Sequence, residues 1–144
     1  MGCIMIEYKT GADGIDWEAL GDLYEEVGLV AQFGKKRDVE VIKKAFQNSR
    51  RVVTAWKEGK LVGAGRLISD GLCYGTIYDV GVLELYRGQG IGRGIMATLL
   101  EGNEHLLIYL TSTFGNEDFY EKLGFKKHKT AYAKYPHESE YLEQ

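Results

Sequence analysis

The residues in this sequence best suited to chemistry form one glycine-rich run, Arg87-Gly88-Gln89-Gly90-Ile91-Gly92. The run follows a strand-like stretch, residues 76–82, and opens a helix-like stretch, residues 91–101. Glycine accepts positive φ and presents no side chain to a close neighbour. At a helix start the first N–H groups have no intrahelical partner, and both these donors and the helix dipole favour phosphate. The run therefore predicts a phosphate-binding turn.

Two common phosphate motifs do not fit this turn. A dinucleotide fingerprint, G-x-G-x-x-G, would need glycine at position 93, where the chain has Arg93. A Walker loop needs the triplet Gly-Lys-Ser/Thr, which is absent from the sequence. The turn thus predicts a phosphate ligand of another kind.

The elements that would position this turn are short and mixed in type. Apolar residues at three- and four-residue spacing predict helices, and β-branched stretches bounded by turn residues predict strands. The predicted strands are 5–8, 51–57, 61–68, 74–82 and 106–111, with a last hairpin at 125–135, and the predicted helices are 16–27, 39–47, 91–101 and Asn116 to Gly124. This order predicts the α/β class: a mixed, largely antiparallel central sheet with at least one parallel pair and helices on both faces.

Length and composition set the broad class. The chain has 144 residues, of which 44% are apolar and 27% charged, and we expect one domain over residues 1–144 with a loose polar tail at 137–144. A net charge of −3 weighs against a nucleic-acid partner, and no apolar run is long enough to span a membrane. The start lacks a signal-peptide pattern, and Cys3 and Cys73 lack metal-like spacing. We therefore expect a cytoplasmic protein without a metal.

Three stretches together resemble the GNAT superfamily of N-acyltransferases. The order R-x-x-G-x-G after a strand, from Arg87 to Gly92, is similar to the acetyl-CoA signature of that family. Residues 116–125, with their Phe-Tyr-x-Lys-x-Gly-Phe ending, resemble its late helix, and residues 23–29 resemble the first helix of many bacterial members. Glu84 stands where the family often has proline, and Leu29 where tryptophan is frequent. The resemblance spans residues 5 to about 135 and implies a GNAT-like fold with a splayed parallel strand pair.

The resemblance also implies the donor and the reaction. Acetyl-CoA would be the cosubstrate, and its acetyl group would pass directly to a primary amine through a tetrahedral intermediate. The strand before the signature would splay at a bulge and offer backbone groups to the pantetheine and the thioester. The residues expected to bind the coenzyme are Val80, Gly81, Val82, Arg87, Gly88, Gln89, Gly90, Ile91, Gly92, Arg93, Asn116, Phe119 and Tyr120. For Asn116, a plain helix N-cap role stays open.

Two residues are candidates for moving protons. Tyr120 matches the family tyrosine near the coenzyme sulfur, and a phenol with a pKa of about 10 can protonate a thiolate whose pKa is about 8.5. Asp79 is the first candidate for the general base because of its position in the motif. Glu25 and Glu26 acting through water, or a water chain alone, are the alternatives.

The acceptor side is expected near the first two helices. Residues 11–34 contain no Lys or Arg but several acids, which favours a small cationic amine, although a solvated helix face gives the same pattern. The residues expected to bind the acceptor are Tyr24, Glu25, Glu26, Leu29 and Phe33. Other possibilities stay open: a catalytically silent acetyl-CoA-binding sensor or interaction module, transfer of a longer acyl chain, and a homodimer.

Overall fold

The computed structural model describes residues 5–29 and 37–143. The chain divides into two compact units, one that ends at Thr111 and one that begins at Ser112. The first unit contains the sheet, and the second contains the late helix. That the whole chain is one domain stays a prediction.

The first unit is built on a five-stranded sheet in the order β1-β2-β3-β4-β5. The strands are β1 Glu7–Thr10, β2 Arg51–Lys57, β3 Lys60–Ser69, β4 Tyr74–Val82 and β5 Leu107–Leu110. The first four pair antiparallel in sequence order, and β5 alone runs parallel to its neighbour, β4. A parallel neighbour requires a crossover, which the helix between β4 and β5 provides.

The described residues form four α-helices, two of which begin at an aspartate whose side chain caps the first turn. They are α1 Trp17–Glu26, α2 Val39–Gln47, α3 Ile91–Leu100 and α4 Glu117–Lys122, with a 3₁₀ helix at Glu84–Tyr86. The Asp16 carboxylate caps α1 by accepting from the N–H of Ala19, and the Asp38 carboxylate caps α2 by accepting from Glu40. None of the helices in the described residues is long and apolar enough to cross a bilayer.

Glycines let helices approach the sheet on both faces. A Cβ added to Gly63 would lie 2.9 Å from Ile95 of α3, and one added to Gly65 would lie 3.0 Å from the same side chain. On the opposite face, a Cβ added to Gly81 would lie 3.0 Å from Val27, directly after α1. The packing therefore excludes larger residues at these three positions.

The predicted fold class is confirmed: the sheet is mixed, it has one parallel pair, and helices cover both faces. Strands β2 and β4 and helix α2 have the predicted bounds, whereas the 3₁₀ helix was not predicted.

The last hairpin, predicted at residues 125–135, is wrong, because no strand forms there. Nearly all of these residues are exposed, and four of them are lysines. Two strands without a buried apolar face are not stable in water. In the second unit, the ring of Tyr141 stacks on that of Phe114 with the centroids 4.5 Å apart. That the tail at 137–144 is loose stays a prediction.

Candidate active site

The phosphate turn, residues 87–92, has the geometry that its glycines predict. Gly88 and Gly90 have φ of 79° and 82°, and Gly90 is the N-cap of α3. An added Cβ at either position would meet nothing within 4 Å. Glycine is therefore required here by the left-handed backbone and not by crowding. The first backbone bond into the helix is from the N–H of Gly94 to Gly90. The preceding first-turn N–H groups remain available to an anion, as a pyrophosphate site needs.

Side chains around the turn add to its polarity. The Nε of Arg87 donates to the carbonyl of Val82 at 3.1 Å, which ties the turn to the end of β4. Lys57 donates to Gln89 at 3.0 Å and lies 5.5 Å from the ring centroid of Tyr86. No local sequence pattern points to this lysine, because the hairpin of β2 and β3 brings it to the turn. Arg93 is exposed on the first turn of α3.

The end of β4 has an open edge. Strand β5 pairs only with residues 74–77 of β4, and the last pair is Ile77 with Leu110. Residues 78–82 pair with β3 on one side and have no strand on the other within the described part of the chain. Val80, Gly81 and Val82, all predicted to bind the coenzyme, lie in this segment. Its unpaired backbone groups can therefore receive a ligand.

A β-bulge interrupts β4 inside this segment. Ala64 is opposite Gly81 and Arg66 is opposite Tyr78, so Asp79 and Val80 together face the single residue between Ala64 and Arg66. Asp79 has a φ of 60°, which is uncommon for a residue with a side chain. A bulge re-aims the residues that follow it, and here those are Gly81 and Val82.

Asp79 is the centre of a polar cluster, which we call the Asp79 clamp and define as Asp79, Arg37 and Arg66. Arg37 contacts both carboxylate oxygens, at 2.9 and 3.1 Å. Arg66 donates from Nε to Oδ2 at 2.8 Å. The hydroxyl of Tyr24 donates to the Asp79 carbonyl at 2.7 Å. Both carboxylate oxygens and the carbonyl of this residue are therefore engaged.

The contacts within and around the clamp set the protonation of Asp79 and of Tyr24. Burial of the Asp79 carboxylate works to raise its pKa, but the hydrogen bonds and charges of Arg37 and then Arg66 outweigh burial and hold this pKa below its ordinary value. Burial, and then the charge of Asp79, raises the pKa of Tyr24 well above that of a free phenol. At neutral pH the cluster therefore contains an ionised carboxylate, two cations and a neutral phenol. A carboxylate of lowered pKa is a weak base, so this geometry disfavours the base role expected for Asp79.

The expected acceptor residues differ in their surroundings. Tyr24 is 1% exposed and its hydroxyl is occupied, which disfavours direct contact with an acceptor. Glu25 and Glu26 are exposed at the end of α1, where two acids oppose the helix dipole. Leu29 lies beside the bulge strand, with its Cδ1 3.5 Å from a Cβ added to Gly81. Phe33 lies outside the described residues.

The second unit contains the remaining expected residues. Asn116 is the N-cap of α4, but its side chain donates to Thr113 and makes no capping bond. The ring of Tyr120 contacts those of Phe119 and Phe125, with centroids 4.9 and 6.1 Å away. Burial raises the pKa of the Tyr120 phenol. This phenol therefore stays protonated at neutral pH, as a proton donor must.

Comparison with known proteins is consistent across sequence and fold. A family model described as an acetyltransferase (GNAT) domain matches residues 48–127. The chain is 30% identical over 136 residues to a Pyropia yezoensis protein called uncharacterized N-acetyltransferase ycf52, covering 87% of this chain and 75% of the relative. It is also 30% identical over 129 residues to the Arabidopsis thaliana protein GCN5-related N-acetyltransferase 2, chloroplastic, covering 73% of this chain and 50% of that one.

A solved structure of a GNAT-family acetyltransferase from Streptococcus pneumoniae superposes with a TM-score of 0.74 at 25% identity, covering 90% of this chain and 98% of that one. The segment that the family model matches is more than half of the chain and includes the bulge and the phosphate turn. This chain therefore belongs to the GNAT superfamily and is an N-acetyltransferase enzyme.

Proposed function

We propose that the enzyme moves the acetyl group of acetyl-CoA directly to the nitrogen of a small cationic primary amine. The observation that carries this proposal is the pairing of two features at the end of one strand. Residues 78–82 of β4 leave one edge open, and the phosphate turn follows at residues 87–92. An extended thiol arm that ends in a pyrophosphate fits this order, because the arm can pair with the edge while the phosphates meet the N–H groups of the turn.

The chemistry follows from the groups available. The amine nitrogen attacks the thioester carbonyl carbon, the C–S bond breaks, and the leaving sulfur takes a proton. A backbone N–H of residues 80–82 would stabilise the oxyanion of the tetrahedral intermediate. Tyr120 is our candidate for protonating the leaving sulfur because it matches the family tyrosine, and its raised pKa keeps the phenol in the acid form. The proton lost by the amine would leave through water, because Asp79 is held by two arginines.

The acceptor class is supported by the charge at the end of α1. Glu25 and Glu26 are exposed there, within one turn of Leu29, which packs against the bulge strand. A nearby pair of carboxylates raises the local concentration of cations. We also propose a reducing compartment such as the cytoplasm, since Cys73 is an exposed free thiol.

A panel of amines tests the proposed function. Purified protein with acetyl-CoA should release coenzyme A thiol in proportion to acetamide product, faster with cationic amines such as polyamines and aminosugars than with neutral ones. Acetyl-CoA binding without thiol release across the panel would support the sensor alternative. Faster turnover with longer acyl-CoA donors would overturn the acetyl assignment.

The acidic pair is tested on the same panel. Exchanging both Glu25→Gln and Glu26→Gln should raise KM for cationic amines and leave KM for neutral amines unchanged, because only the cation loses its attraction. Added salt should reduce the difference. Glu18→Gln, an exposed acid in the first turn of α1, is the matched control. If the double variant and the Glu18→Gln control changed KM equally, the acidic pair would have no role in acceptor recognition.

The phosphate turn is tested by backbone strain placed at two positions. Gly90→Val should weaken coenzyme A binding about tenfold or more, the equivalent of one charge-assisted hydrogen bond, because valine resists positive φ. Gly14→Val is the control, since Gly14 has a φ of 77° and the same open surroundings but lies between β1 and α1. Calorimetric titration of both variants measures the effect. Equal binding by the two would mean that the turn does not hold the phosphates.

The acid role is tested with matched tyrosines of the second unit. Tyr120→Phe should lower kcat about 100-fold with little change in coenzyme affinity, the loss typical of a missing general acid. Tyr132 is 97% exposed, and Tyr132→Phe should leave kcat unchanged. In the wild type, the alkaline limb of the activity profile should lie above the ordinary pKa of a phenol, because burial raises the pKa of Tyr120. An unaltered kcat in Tyr120→Phe, with chemistry rate-limiting, contradicts the acid role.

A further inference from the structure

We propose that Arg37 and Arg66 are positioning residues that fix the bulge of β4 through Asp79, so that Asp79 serves acyl transfer as an anchor and not as its general base. This inference rests on the proposed function, because the bulge is the place where that function puts the thioester. The supporting observations are the backbone at Asp79, the contacts of its carboxylate, and the way in which the two arginines are themselves held.

The backbone at Asp79 needs support. A φ of 60° in a strand is uncommon outside glycine and persists only where the surroundings fix it. The bulge also adds an unpaired residue on the strand that lacks a β5 partner beyond Ile77. Within the described residues, no neighbouring strand holds this conformation on its open side, whereas side-chain contacts do.

The contacts of Asp79 come from three different elements. Arg37 directly precedes the cap of α2, Arg66 is on β3, and Tyr24 is on α1. The Arg37 guanidinium meets the carboxylate in a bidentate fork, a geometry that fixes orientation as well as distance. The side chains of Asp79, Arg66 and Arg37 are only 12%, 14% and 19% exposed, so water competes weakly for these bonds.

Each arginine is itself held in place. Arg37 donates to the Leu29 carbonyl at 2.9 Å and lies 4.9 Å from the ring centroid of Tyr24. Arg66 lies 5.6 Å from the ring centroid of Tyr78 and 5.9 Å from that of Phe46. Through the two arginines, the bulge is therefore held at a fixed position relative to α1, α2 and β3. The positions of Val80, which is in the bulge, and of Gly81 and Val82, which follow it, are fixed in turn.

An anchor and a base respond differently when Arg37 is removed. If Asp79 is an anchor, Arg37→Gln frees the bulge, and kcat should fall about 10- to 100-fold at every pH, as expected for a reacting group displaced by about 1 Å. If Asp79 is a base, the same change relieves the charge that lowers its pKa. The plateau of kcat would then remain, and the acidic limb of the pH profile would move to higher pH.

The experiment compares Arg37→Gln, Asp79→Asn and the double variant. Asparagine tolerates positive φ, so the Asp79→Asn variant can still adopt the bulged backbone conformation while it lacks the charge. We expect each single variant to lose kcat by a similar factor, the double variant to lose no more than either, and Arg37→Lys to recover part of the loss. Additive losses, or a shifted acidic limb in Arg37→Gln, would overturn the proposal.

Hydrogen exchange of the backbone separates this inference from the proposed function, because it needs no turnover. Amides 80–82 should exchange faster in Arg37→Gln than in the wild type, and core amides of α3 should not. Arg50→Gln is the control, since that arginine bonds to Asn103 and not to Asp79. Unchanged exchange at 80–82 contradicts the anchor even if the enzyme acetylates amines. Inactivity of the wild type contradicts the proposed function while the exchange result still decides the anchor.

Discussion

The arrangement of this site depends on one interaction, the pairing of the ionised Asp79 carboxylate with Arg37 and Arg66. A charge that is nearly buried is costly unless it is paired, and the pairing here comes from two arginines on separate elements. Removal of the carboxylate would leave two guanidinium groups close together without the counter-ion that they share. The clamp thus links α1, the start of α2, β3 and β4 around one residue. It explains how a left-handed backbone survives in the middle of a strand.

Glycines provide the second constraint. Gly63 and Gly65 let α3 approach one face of the sheet, and Gly81 lets the end of α1 approach the other. As a result, the phosphate turn at the start of α3 and the acidic end of α1 both belong to the unit that contains the open edge of β4.

The sequence predicted most of the framework and little of the clamp. Strands β2 and β4 and helix α2 were predicted with correct bounds, because β-branched runs, turn residues and apolar spacing all agreed there. The position of Asp79 followed from the motif, but its partners did not. Arg37 and Arg66 lie 42 and 13 residues away, and no local pattern reveals that tertiary packing joins them. The predicted last hairpin failed because apolar residues among the lysines of 125–135 find no face to bury.

Isotope-edited infrared spectroscopy of bound acetyl-CoA tests the central claim most directly. With the carbonyl carbon labelled, the thioester stretch reports how strongly a backbone N–H polarises that bond in the absence of an amine. A bulge held by the clamp predicts a stretch at lower frequency in the wild type than in Arg37→Gln and Asp79→Asn, with coenzyme still bound in all three. The same frequency in the wild type and both variants would contradict the account.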